Sequence, residues 1–124
     1  MIARTPTHCG DETCPSSAAA GGLIFLAHHA GGFDKRDYAH QARAALRAMG
    51  ETLALSGASL GDMVQINLYL RDLSGFGEAR EEIRKAFPDG RYPARMTLTS
   101  DFLSPDCLLM MDGVAAAPAL GGGG

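Results

Sequence analysis

Two stretches of the chain alternate apolar and polar residues, and two others repeat apolar residues every three or four positions. In Met63–Leu70, Val64, Ile66, Leu68 and Leu70 fall on one side and Gln65, Asn67 and Tyr69 on the other, the period of a strand with one buried face. Tyr92–Ser100 repeats the pattern, with Ala94, Met96 and Leu98 set against Arg95, Thr97 and Thr99. Ala42, Ala45, Leu46, Met49 and Leu53 instead share one helical face. Asp34 and Asp37 supply the N-cap signal for this helix, and Gly57 its stop. A second helix is predicted from about Ser74, with the apolar stripe Phe76, Ala79, Ile83, Ala86 and Phe87. Glu81 and Lys85 pair on its outer face, and Pro88-Asp89-Gly90 ends it. Leu23–His28, after Gly21-Gly22, and the almost wholly apolar Cys107–Ala116 read as strands, with a further one near Met1–Pro6.

Two helices cannot cover both faces of five or six strands. If they cover one, the other meets water, a ligand or another subunit. Its polar members are read as Arg95, Thr97, Gln65, Asn67 and Tyr69, so an oligomer with sites at the exposed sheet face is expected.

Composition narrows the class. At 124 residues the chain suits one domain, and 46% hydrophobic with 20% charged residues is globular rather than disordered. The domain is expected over residues 1–116, followed by a flexible Ala/Pro/Gly tail over 117–124. The uncharged stretches Ala18–Ala27 and Cys107–Met111 are shorter than the ~18–20 apolar residues of a membrane span, so no membrane partner is expected. No basic segment followed by an apolar run opens the chain, which together with three unpaired cysteines points to the cytoplasm. Cys9 and Cys14 belong to a loop and Cys107 opens a buried strand; the Cys-x4-Cys spacing near His8, His28 and His29 fits no zinc motif, and no metal is expected. A net charge of −3 without a basic or aromatic patch argues against nucleic acid.

Few residues carry chemistry. Arg95 projects from a strand among apolar neighbours, where its planar fork either clamps a small carboxylic acid or forms a structural ion pair with Asp112. Asp112, the single charge of the last strand, holds and orients a water or serves as that partner. His28 and His29 point to opposite faces, so one of them reaches a pocket and the two do not act together. His40 reads as solvated, and Glu78, Glu81, Glu82, Arg84 and Lys85 as a solvated helix face.

Several segments, in order and spacing, resemble one family. They are Ala20-Gly21-Gly22-Leu23-Ile24-Phe25, Gly57-Ala58-Ser59 with Asp62-Met63-Val64, Asn67-Leu68-Tyr69-Leu70-Arg71-Asp72, Phe76, Phe87, Pro93-Ala94-Arg95, Pro105 and Asp112-Gly113-Val114-Ala115. Together they are similar to the Rid family (YjgF, or L-PSP endoribonuclease-like) from about Ala18 to Ala116. The resemblance implies a chorismate-mutase-like α+β fold: a mixed sheet of five to six strands, two helices on one face, and three subunits forming a central barrel with clefts between them. It also implies cofactor-independent hydrolysis of reactive 2-imino or enamine carboxylic acids to 2-oxo acids and ammonia.

Carried over by residue, the resemblance implies that Arg95 binds the substrate carboxylate. The water-holding glutamate of the family falls on Asp112, one methylene shorter. A cysteine two residues after the arginine falls on Thr97, whose backbone carbonyl would also hold the water. An early tyrosine falls near Cys14, an asparagine of the second helix near Arg80, and Ala27-His28-His29 replaces a Ser-Gly-Gln. Tyr69, His28 and His29 complete the expected substrate-binding set. The rival reading is a non-catalytic trimer that binds a small carboxylate or acts as a chaperone. RNA cleavage, implied by the older family name, is opposed by the acidic balance.

Overall fold

The computed structural model describes residues 1–118 and assembles one six-stranded sheet. Its strands are β1 (Ala3–Arg4), β2 (Ser17–Ala20), β3 (Leu23–His29), β4 (Met63–Leu70), β5 (Ala94–Thr99) and β6 (Leu109–Ala116). The helices are α1 (Tyr38–Ala54) and α2 (Phe76–Ala86). The spatial order is β1-β2-β3-β6-β4-β5, antiparallel throughout except for the parallel pair β4–β5, which α2 connects. Residues 119–124 of the expected tail lie outside the described segment; Ala117 still donates its N–H to the Gly22 carbonyl at 2.8 Å. Among the described residues no helix is long and apolar enough to cross a membrane.

Both helices form where the periodicity places them. Asp37 caps α1, its carboxylate accepting from the His40 N–H at 3.1 Å. At the other end Gly57, with φ of 74°, turns the chain back, and the Gly57 and Ala58 N–H groups reach the Ala54 and Leu53 carbonyls. Ala42, Ala45, Leu46, Met49 and Leu53 of α1 and Ala79 and Ile83 of α2 are buried against Ile24, Leu26, Ile66, Leu68, Leu70, Leu109, Met111 and Ala115 of the sheet. Both helices thus share one face, as expected. β2 escapes the pattern reading, because Ser17–Ala20 has neither β-branched nor aromatic residues to announce a strand.

Three expectations change. Val64 does not join the buried side of β4: Met63 pairs with Ala115 and Gln65 with Val114, so Val64 is the extra residue of a β-bulge and is exposed, while Met63 points inward. Glu82 is buried between Arg43 of α1 (3.2 Å) and Lys85 (3.3 Å), not solvated, and Glu81 pairs with Arg84 in place of Lys85. The inter-helix ion pair replaces the water that a lone carboxylate would require. His40 is half-buried and its ring lies 3.0 Å from Asp34.

The bulge also explains a glycine. A Cβ on Gly113 would stand 2.2 Å from the Gln65 carbonyl oxygen and 2.5 Å from the end of Met63. Backbone cannot yield as a side-chain tip can, so Gly113→Ala is expected to lower stability by about 1–3 kcal/mol, read as a drop in the thermal unfolding midpoint.

Candidate functional site

The parallel register sets which residues of β5 face which layer. Arg95 lies opposite Ile66, Thr97 opposite Leu68 and Thr99 opposite Leu70, all members of the buried row of β4. Side chains alternate along a strand, so Arg95 and Thr97 lie on the helix side of the sheet edge. This corrects their expected place on the open face with Gln65, Asn67 and Tyr69. The reason lies in edge position: α2 leaves the rim of β5 wet, so polar residues occupy the helix side there and the apolar Met96 and Leu98 occupy the open side.

At that rim the Arg95 Nε donates to the Thr97 hydroxyl at 3.0 Å, and the guanidinium stands over the Phe76 ring, 5.4 Å from its centroid. Among the described residues no carboxylate pairs with Arg95. Beside it opens a recess of about 120 Å³ lined by Arg80, Ile83, Arg84, Tyr92 and Arg95. Arg80 and Arg95, two of the expected site residues, line the same recess, together with Arg84 and Tyr92, which were not foreseen there.

Asp112 sits on the opposite face. Asn67 Nδ2 donates to its Oδ1 at 2.7 Å and the Tyr69 hydroxyl to its Oδ2 at 2.8 Å. The expected alternative of an Arg95–Asp112 ion pair is thereby overturned: cross-strand neighbours from β4 satisfy the carboxylate. Burial, reinforced by the bond to Asp112, pushes the Tyr69 phenol up to about 12, so it stays protonated and donates. Tyr69 and Asp112 share a larger cleft of about 290 Å³ with His28, Met110 and the segment Ser100–Leu103. The role of Asn67 was missed, although its position opposite Asp112 in the alternating strands was the available signal.

That segment is pinned from behind. Arg71 donates to the Cys107 carbonyl (2.9 Å) and the Ser104 carbonyl (2.8 Å), and its guanidinium covers Phe102. The buried amide of Gln41 donates to the Asp106 carbonyl and accepts from the Leu108 N–H.

The two histidines separate as strand alternation requires. His28 is exposed in the Asp112 cleft, but His29 is fully buried, so the expectation that it binds substrate is corrected. Its Nδ1–H donates to the Ala27 carbonyl at 2.7 Å and its Nε2 accepts from the Thr52 hydroxyl at 2.8 Å. The His8 ring stacks on it at 4.1 Å. Cys14 is also not brought to either cleft; it is half-buried in the N-terminal segment, its thiol facing the Pro15 carbonyl.

The chain matches the family model described as Endoribonuclease L-PSP over residues 17–117. A RutC family protein of Pyrococcus abyssi is 30% identical over 94 residues, 76% of this chain and 73% of the relative. Among solved structures, a yjgF family member from Streptococcus pyogenes superimposes with a TM-score of 0.84 at 28% identity, covering 95% of this chain and 98% of the other. A YjgF family member from Neisseria meningitidis reaches 0.86 at 22% identity, covering 96% and 97%.

The buried imidazole makes a pH prediction. Burial lowers the His29 pKa from 6.5 to about 4. Between these values the unfolded chain binds a proton that the native fold refuses, so stability falls as pH drops from about 6.5 to 4, by on the order of 3 kcal/mol. Denaturant titrations across that range should show the slope, and His29→Gln should flatten it.

Proposed function

This chain belongs to the Endoribonuclease L-PSP family, also called YjgF or Rid, and on that premise we propose that it hydrolyses small 2-imino and enamine carboxylic acids to 2-oxo acids and ammonia. The observation that carries this reading is Arg95, a guanidinium beside an open recess that pairs with no carboxylate among the described residues. Its fork grips a carboxylate through two parallel charge-assisted hydrogen bonds. The Thr97 hydroxyl and the Phe76 ring fix its direction, so little ordering is left to do on binding.

Asp112 is the water-holding group. Asn67 and Tyr69 occupy one lone pair on each carboxylate oxygen, which leaves the others to orient a water. That water attacks C2 of the protonated imine and passes a proton to Asp112. Asp112 returns that proton to the nitrogen of the tetrahedral adduct, the C–N bond breaks, and the departing ammonia carries off the hydroxyl proton as ammonium, leaving the 2-oxo acid. An iminium carbon is already electrophilic, so positioning and one proton shuttle suffice.

The two groups reach one substrate only across an interface between copies. Asp112 lies two strands from β5, about 10 Å, and on the other face. The open face also carries the exposed apolar side chains Leu23, Phe25, Met96 and Leu98, which a second copy would cover. We therefore assign a homotrimer with a cleft at each subunit boundary, His28 and Tyr69 coming to the substrate with Asp112. The protein is proposed to need no cofactor and to act in the cytoplasm as one domain over residues 1–116.

Sedimentation should give a mass three times 13.0 kDa. An imine generated in place by an amino-acid oxidase acting on alanine, with semicarbazide as competitor, provides the assay. The protein should raise 2-oxo acid release at the expense of semicarbazone, Arg95→Ala should lower kcat/KM at least ~100-fold, and Asp112→Asn should lower kcat more than it raises KM. Unchanged release on adding the protein, or full activity in Arg95→Ala, would overturn the reading.

A further inference from the structure

Resting on that reading, we propose that the recess at Arg95 selects a doubly charged substrate, a small 2-imino dicarboxylic acid, with Arg80 gripping the second carboxylate. Three guanidinium side chains line this one recess, and among the described residues only Arg84 contacts a carboxylate. The Arg84 Nε donates to Glu81 at 2.9 Å, and a second Arg84 nitrogen bonds the other oxygen of the same carboxylate. Glu82, the next acid on α2, is occupied by Arg43 and Lys85. Arg95 contacts a hydroxyl and a ring, both neutral. Arg80 is exposed and, among the described residues, pairs with no carboxylate.

Arg80 and Arg95 are two positive charges with no contacting carboxylate among the described residues, and in so small a space they repel; Glu81 acts on Arg80 only at a distance. A single carboxylate fills one guanidinium fork and leaves the other facing water. An acid with carboxylates at both ends of a short carbon chain satisfies both, and Ile83 offers that chain an apolar floor. The supplying reaction is then one that oxidises an acidic amino acid, removing two electrons and two protons while keeping its C–N bond, to the 2-imino form.

Succinate and butyrate differ by one carboxylate at equal carbon number, which makes calorimetric titration of the assembled protein with each the direct test. Succinate should bind at least ~10-fold more tightly than butyrate. Arg80→Gln should lower succinate affinity about tenfold more than butyrate affinity, and Arg80→Lys should retain part of the preference. Inorganic phosphate, the other dianion two arginines hold, is the third titrant and should bind more weakly than succinate. Equal binding of succinate and butyrate, a preference that survives Arg80→Gln, or phosphate binding more tightly than succinate would each sink the proposal. If succinate is preferred yet neither iminopropanoate nor the 2-imino acid made by oxidising aspartate is hydrolysed, the catalytic reading falls and the dianion selection stands. If iminopropanoate is hydrolysed without any succinate preference, only the present inference falls.

Discussion

The side-by-side alignment of β4 and β5 governs what the site can do. Ile66 opposite Arg95 gives the arginine the parity of the buried row, and Asn67 opposite Asp112 gives the aspartate the opposite one. A slip of β5 by one residue would carry Arg95 to the open face and turn Met96 and Leu98 toward the helices. The ladder resists this slip at its far end, where the Ser100 N–H reaches the Leu70 carbonyl at 2.9 Å. With the register fixed, Arg95 and Asp112 of one copy face opposite sides of the sheet, which is why the proposed mechanism draws them from two copies.

Much of the fold was legible because its elements obey one period each. The α1 stripe, the Asp37 cap and the Gly57 stop were all visible, and the alternation of β5 sorted its residues correctly into two sets. What the alternation could not tell was which set faces the helices, since that depends on the register of a neighbouring strand. Val64 was misread for a related reason: a bulge breaks the period of two, and the signal for it is Gly113 on the partner strand. Glu82 and His29 were misplaced because their burial rests on partners far along the chain, Arg43 for one and Thr52 for the other.

Arg95 and Asp112 are candidates from the family resemblance, whereas their surroundings depend on strand register and could not be read from the sequence. Asp112 has a shorter reach than a glutamate, and Asn67 and Tyr69 hold both of its oxygens in place. Tyr69 was visible as an exposed-face residue, but its pairing with Asp112 needed the β4–β6 register. Arg84 looked like an ordinary surface charge until its bond to Glu81 separated it from the two unpaired arginines of the same recess.

β6 lies inside the sheet between β3 and β4, while β5 is one of its two edge strands. Replacements around Arg95 therefore disturb few packed neighbours, whereas those around Asp112 and Gly113 press on Met63, Gln65 and the buried rows on either side. Tolerance to substitution is thus expected to be asymmetric across this molecule, wide at the β5 edge and narrow along the enclosed strand β6.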